Sequence, residues 1–144
     1  MKTNDVKNMF REIRKEQKEI AHLAEMIKSE EMMLLPQGIR YDKDKVQTSP
    51  DDMISKNVSK IVDMQKTLEQ SIFSLKQKHI DAEQLIRQLD NSDEREVMRW
   101  YYLTVEDNKP LTWEQVAIRM NFYKRHVLRL HGNAILHLSE IERG

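Results

Sequence analysis

Apolar residues step alternately by four and three positions through two long stretches of this chain, and no other feature constrains its fold as strongly. The first run is Val6, Phe10, Ile13, Ile20, Ala24, Ile27 and Leu34, with Gln17 and Glu31 in the two remaining places. The second is Ile54, Val58, Ile61, Leu68, Ile72, Leu75, Ala82, Ile86 and Leu89, interrupted by Gln65 and His79. Stepping of this kind keeps one stripe of side chains on one face of a helix, which is how helices pack along a seam. Only 3 Gly and 3 Pro punctuate the 144 residues, and the Glu, Lys, Gln, Leu and Met between seam positions favour helix over strand. The expected class is all-α.

Between the runs, "LPQGIRYDKDKVQTSP" has no helical period, and Pro36, Gly38 and Pro50 break any helix there. Residues 36–50 read as a connector, either a spacer or a partner-contact loop through Arg40, Tyr41 and Lys45. Ser49-Pro50-Asp51-Asp52 reads as the next helix start, with Ser as cap, Pro pre-set for the first turn and carboxylates at the positive end of the dipole. A short connection favours antiparallel neighbours. Residues 1–90 are therefore expected to form a long antiparallel coiled-coil hairpin, used for oligomerisation or partner binding. Polar Gln17 and His79 in the seams set register or partner choice.

The remaining residues, 91–144, are expected to form a three-helix C-terminal domain. Ser92 is placed as the cap of its first helix, with Asp93 and Glu94 in the first turn and the helix running to about Val105. "EDNKP" is a turn. Thr112, followed three residues later by Gln115, makes a capping box for a short helix to Met120. A last helix follows from about Lys124 to Glu142. Val116, Ala117, Met120, Phe122, Val127 and Leu130 fall where the two helices of a helix-turn-helix bury one another. Asn121 takes the turn position that prefers a left-handed backbone.

Charge then points to a partner. The chain balances 24 Lys+Arg against 24 Asp+Glu, yet no acidic residue lies between Glu114 and Glu140, where Arg119, Lys124, Arg125 and Arg129 fall. Lys124, Arg125 and Arg129 sit at the start of a helix, the end where cations are unfavourable. A local cost of that kind marks a candidate functional site. Duplex DNA demands a surface without carboxylates and with Lys or Arg, and Arg also bonds guanine through two donors. Tyr123, Lys124, Arg125, Leu128 and Arg129 are the outward positions of a recognition helix. Gly132 within that helix allows close approach of another backbone or is a tolerated weak point.

Other classes find little support. There is no cysteine, no glycine-rich phosphate loop and no His-Glu metal spacing. His126, His131 and His137 step by five and six, not the three or four that align ligands on one helical face. The chain is read as a non-enzyme with no cofactor and no metal. No apolar run has membrane-span length, and "MKTNDVKNMF" lacks the apolar core of a secretory signal, so a cytoplasmic protein without membrane contact is expected.

"DEREVMRWYY", "LTWEQVAIRM" and "YKRHVLRLHGNAILHL" resemble region four of bacterial sigma factors. The whole chain is similar to small phage-encoded sigma-like regulators of the RinA and ArpU late-transcription activator group, including "GIRYDKDKVQTSP" and "RLHGNAIL". The resemblance implies a DNA-binding activator of phage late or packaging genes in a bacterial host cell. Its recognition helix would begin at Tyr123 and Lys124, with Arg125 and Arg129 toward bases or phosphates and Trp113 and Arg119 near the DNA backbone. Asn121-Phe122-Tyr123 departs from the glycine, aliphatic residue and serine cap of many sigma domains. Expected partners are double-stranded promoter or operator DNA, host RNA polymerase, and a second copy in a homo-oligomer, with a dimer favoured. Two other readings fit the same elements: a small-terminase-like DNA-packaging component, and an RNA-polymerase-docking protein without DNA affinity.

Overall fold

The computed structural model describes residues 3–34 and 50–143 and is mostly helical. Its elements are α1 (Thr3–Met33), α2 (Pro50–Ile86), α3 (Ser92–Tyr102), β1 (Val105–Glu106), β2 (Lys109–Pro110), α4 (Trp113–Met120) and α5 (Lys124–Arg143). The expected connector and the Ser49 cap lie outside the described residues. Pro50 does open α2. No helix among the described residues is long and apolar enough to cross a membrane.

α1 and α2 run antiparallel, because partners ascending one helix descend the other: Gln17 meets His79 at 3.1 Å, Glu16 pairs with Lys78, and Glu30 pairs with Lys60 at 2.9 Å. The stepped apolar residues supply the seam, with Val6, Phe10, Ile13, Ile27, Ile61, Ala82 and Ile86 buried. Ile54 and Val58 remain exposed, because they stand at the level where α1 ends. Gln17 Nε2 donates to the Tyr102 carbonyl at 2.7 Å, which fixes the amide orientation and leaves Nε2 of His79 as an acceptor. His79 is thereby a neutral ring, and burial lowers its pKa in the same sense.

The main core does not stop at residue 90. Val6, Phe10 and Ile13 of α1 and Ala82, Leu85, Ile86 and Leu89 pack with Met98 and Tyr102 of α3 and with Ala134, Ile135 and Leu138 of α5. Burying one such large apolar side chain contributes about 1.5–3 kcal/mol, so the first four turns of α1 are a substantial part of what holds α3 and α5. Arg99 adds a bidentate link from α3 to Glu83 of α2 at 2.8–3.1 Å, and that guanidinium holds the Glu83 carboxyl below its usual range.

Three local expectations need correction. The cap of α3 is Asn91, whose Oδ1 accepts from the Asp93 and Glu94 amides at 2.9 and 3.0 Å, so Ser92 is the first helical residue. Asn and Ser cap about equally well, and only geometry separates adjacent candidates. α2 ends at Ile86, short of Leu89, the last apolar position of the second stepped run. α3 ends at Tyr102 rather than Val105, because residues 105–110 form a two-stranded hairpin pairing Val105 with Pro110 and Glu106 with Lys109. Asp107 and Asn108 take φ of 52° and 63° at its tip, the pair of positive angles a tight hairpin turn of this hand requires.

Candidate nucleic-acid interface

The acid-free interval folds as a helix, a sharp turn and a longer helix, and each junction has its own chemistry. Thr112 Oγ1 accepts from the Gln115 amide at 3.2 Å while Gln115 Oε1 accepts from the Thr112 amide at 2.9 Å, closing the capping box that starts α4. At the other end Asn121 adopts φ 58° and ψ 41°. The Phe122 amide donates back to the Ala117 carbonyl and the Asn121 amide to that of Ile118, the paired bonds of a Schellman ending. Phe122 then packs on the second core cluster, in which Val97 and Leu111 join Val116, Ala117, Val127 and Leu130. The turn and the shared core together fix α5 against α4.

The side chains expected to face a partner divide into two groups. Tyr123 is 87% exposed, Leu128 is 41% exposed, and Arg125 and Arg129 lie one turn apart on the exposed side of α5. Neither arginine has an ion-pair partner among the described residues. Lys124 instead pairs with Glu114 at 2.7 Å, and Arg119 makes a fork to Glu106 at 2.6 and 2.8 Å. Lys124 holds the Glu114 carboxyl below its usual range, and Glu106 raises the Arg119 pKa. The interval is free of acid in sequence but not in space. Both pairs are solvent-exposed, where phosphate can replace a carboxylate at little cost.

Trp113 is engaged internally. Its indole stacks on the Tyr101 ring with centroids 3.5 Å apart and planes 10° from parallel. The Arg14 guanidinium of α1 sits 3.7 Å from the same ring centroid and donates to the Tyr101 and Leu111 carbonyls, each at 2.8 Å. Two flat groups cannot share one face at those separations, so Tyr101 is held between α1 and α4. Beside it Tyr102 Oη and His131 Nε2 lie 2.6 Å apart. The His131 pKa is lowered to about 4, first by burial and then by the field of Lys7 and Arg11. A neutral ring accepting from the tyrosine is the consistent arrangement.

That field identifies cations the heptad reading of α1 overlooked. Lys7, Arg11, Lys15 and Lys18 line one side of a cleft of about 570 Å³, and Trp113, Leu128, His131 and Gly132 line the other. At roughly 100° per residue, these four cations and Arg14 fall within about 100° of arc around α1. Glu12, Glu16 and Glu19 fall in the neighbouring sector, and Val6, Phe10, Ile13 and Gln17 face the core. Counting charge around the helix rather than along the chain would have found the stripe.

The remaining residues singled out by sequence have plain roles. His126 meets the Phe122 ring edge-on at 4.7 Å, and His137 Nδ1 lies 2.5 Å from the buried Glu94 carboxylate. No group of three or more His, Asp or Glu among the described residues is placed to hold a metal ion. A Cβ built on Gly132 would meet nothing within 4 Å, so no other backbone approaches it. No family model, curated protein or solved structure matches this chain.

Proposed function

We propose that this protein is a sequence-specific regulator of transcription that binds duplex DNA through α5, acting on phage late or packaging genes as its resemblance to sigma-like activators implies. The observation that carries the reading is the pair Arg125 and Arg129. They are exposed, unpaired among the described residues and one helical turn apart, on a helix whose start is fixed by the Asn121 turn. Two arginines so placed can enter one major groove, where a bidentate contact to guanine contributes about 1–3 kcal/mol of discrimination. α4 crosses the DNA backbone in this arrangement, and Arg119 and Lys124 exchange Glu106 and Glu114 for phosphate. Selection of bound duplexes from a random pool tests the reading: an enriched motif supports it, and recovery of unselected sequence refutes it.

Self-association belongs to the same proposal. Ile54, Val58, Val62, Phe73 and Ile80 are all exposed on α2, and at about 100° per residue they share one sector of that helix. A second copy covering this stripe gives a dimer, and a paired reader gains affinity from two half-sites. The same stripe is the observation that favours the packaging-component reading, which differs in requiring a ring-sized oligomer. Docking on host RNA polymerase is compatible with DNA binding, and docking without DNA affinity is the alternative that a failure to bind duplex would favour.

A further inference from the structure

The N-terminal helix carries a positive surface that the hairpin does not use. Lys7, Arg11, Lys15 and Lys18 share one sector of α1, and Glu12, Glu16 and Glu19 stand in the neighbouring sector. Lys15 alone has carboxylates at the three- and four-residue spacings that pair on a helix, Glu12 and Glu19. None of the four cations has a carboxylate partner among the described residues, and Glu16 turns instead to Lys78 of α2. The cations form an extended row. From Lys7 to Lys18 the helix rises about 16 Å at 1.5 Å per residue, the axial rise of about five nucleotides of one strand at 3.4 Å each.

The row is also continuous with α5. Leu128 and Gly132, on the far wall of the same cleft, lie three and seven residues beyond Arg125, on the face that carries Arg125 and Arg129. Gly132 presents no side chain there and nothing fills the space beside it, so the surface passes from α5 to α1 without a barrier. Arg14 is set apart from the row, because its Nη1 donates to the Tyr101 and Leu111 carbonyls and its guanidinium lies over the Tyr101 ring.

We infer that Lys7, Arg11, Lys15 and Lys18 of α1 grip the sugar-phosphate backbone of the same duplex whose groove α5 enters, making the long N-terminal helix part of the DNA-binding surface. The inference rests on the proposed reading of α5. A small polyphosphate is the weaker match, because the cations line a row rather than converge on one point. Arg14 ties this helix to Tyr101 of α3 and to Leu111 ahead of α4, so the row keeps a fixed position relative to the reading helix.

The test uses the full chain carrying Lys7→Gln, Arg11→Gln, Lys15→Gln and Lys18→Gln together, substitutions that keep helix propensity; circular dichroism checks the fold. Anisotropy isotherms on a selected and a random duplex, from 50 to 400 mM salt, are compared with those of the parent and of Arg125→Ala. The quadruple variant is expected to flatten the plot of log K against log salt by about three units and to lose at least roughly tenfold in affinity on both duplexes at ~0.1 M salt. Its preference for the selected duplex should survive. An unchanged slope overturns the inference while leaving the α5 reading intact. A flattened slope in the quadruple variant with no effect of Arg125→Ala keeps the grip and refutes the α5 reading. Absence of duplex binding by the parent refutes both. Displacement of DNA by micromolar tripolyphosphate, lost in the quadruple variant, assigns the row to small anions and overturns the inference too.

Discussion

The guanidinium of Arg14 lies 3.7 Å from the centroid of the Tyr101 ring and donates at 2.8 Å to the carbonyl of the same residue. One side chain of α1 thus satisfies backbone acceptors at the end of α3 and before α4 while covering an aromatic face. Arg14→Lys should not preserve this, because both bonds leave from Nη1 at the end of a side chain longer than that of lysine, and an ammonium lacks the flat guanidinium that covers the ring. We expect Arg14→Lys to destabilise by about 2–3 kcal/mol, from two charge-assisted bonds and a cation–π contact. Arg14→Gln should do no better. Urea titration checks this; a loss under 0.5 kcal/mol in both variants would show that α1 is not fastened here.

The same junction governs truncation. A fragment of residues 92–144 keeps the smaller cluster around Val116 and Val127 but exposes Met98, Tyr102, Ile135 and Leu138, whose partners include Val6, Phe10, Ile13 and Ile86. It is expected to melt without a cooperative transition, whereas the full chain melts cooperatively. A sharp transition in the fragment would mean that the C-terminal helices need no α1.

Periodicity made the seams legible before the fold was known, and the capping box at Thr112 and the left-handed turn at Asn121 were equally plain from residue type. What covers a seam was not. Val6, Phe10 and Ile13 have the spacing that would suit α2 alone, yet they also meet Met98 and Ile135, because stepping identifies a buried face and not its partner. The strands at Val105–Glu106 and Lys109–Pro110 are too short to show alternation. The basic row on α1 was obscured by Glu12, Glu16 and Glu19, which cancel it along the sequence but stand in a different sector of the helix.

Acid should weaken the fold through His131. Its pKa is lowered from 6.5 to about 4 in the folded chain, so between those values the unfolded chain binds the extra proton and stability falls as pH falls. The loss is at most about 3 kcal/mol across the window. His79, lowered by burial, acts in the same direction. Glu83, whose carboxyl is held low, gives up its contribution only below about pH 4.5, the usual carboxylate value. Melting temperature measured from pH 7.5 to 4.5 should drop below about 6.5 and drop less in His131→Gln; a flat profile for the parent contradicts the buried neutral ring.

Self-association through α2 should depend on Phe73 and Ile80, 76% and 52% exposed. Phe73→Lys with Ile80→Lys is expected to yield a monomer by light scattering at tens of micromolar, with helicity retained, while the parent has twice that mass. A monomeric parent removes the dimer, and a parent of ring-like mass turns the argument toward the packaging component.

The most direct test of DNA reading is the contrast between Arg125 and Arg119. Arg125, on α5, has no ion-pair partner among the described residues, and Arg119, on the helix proposed to cross the DNA backbone, is tied to Glu106 of β1. In binding isotherms on selected and random duplexes over a range of salt, Arg125→Ala should reduce the preference for the selected duplex by about 1–3 kcal/mol. Arg119→Ala should weaken both duplexes alike and lower the salt slope by about one unit. If both substitutions lower affinity uniformly, α5 is a phosphate clamp that reads no sequence, and the central claim is contradicted.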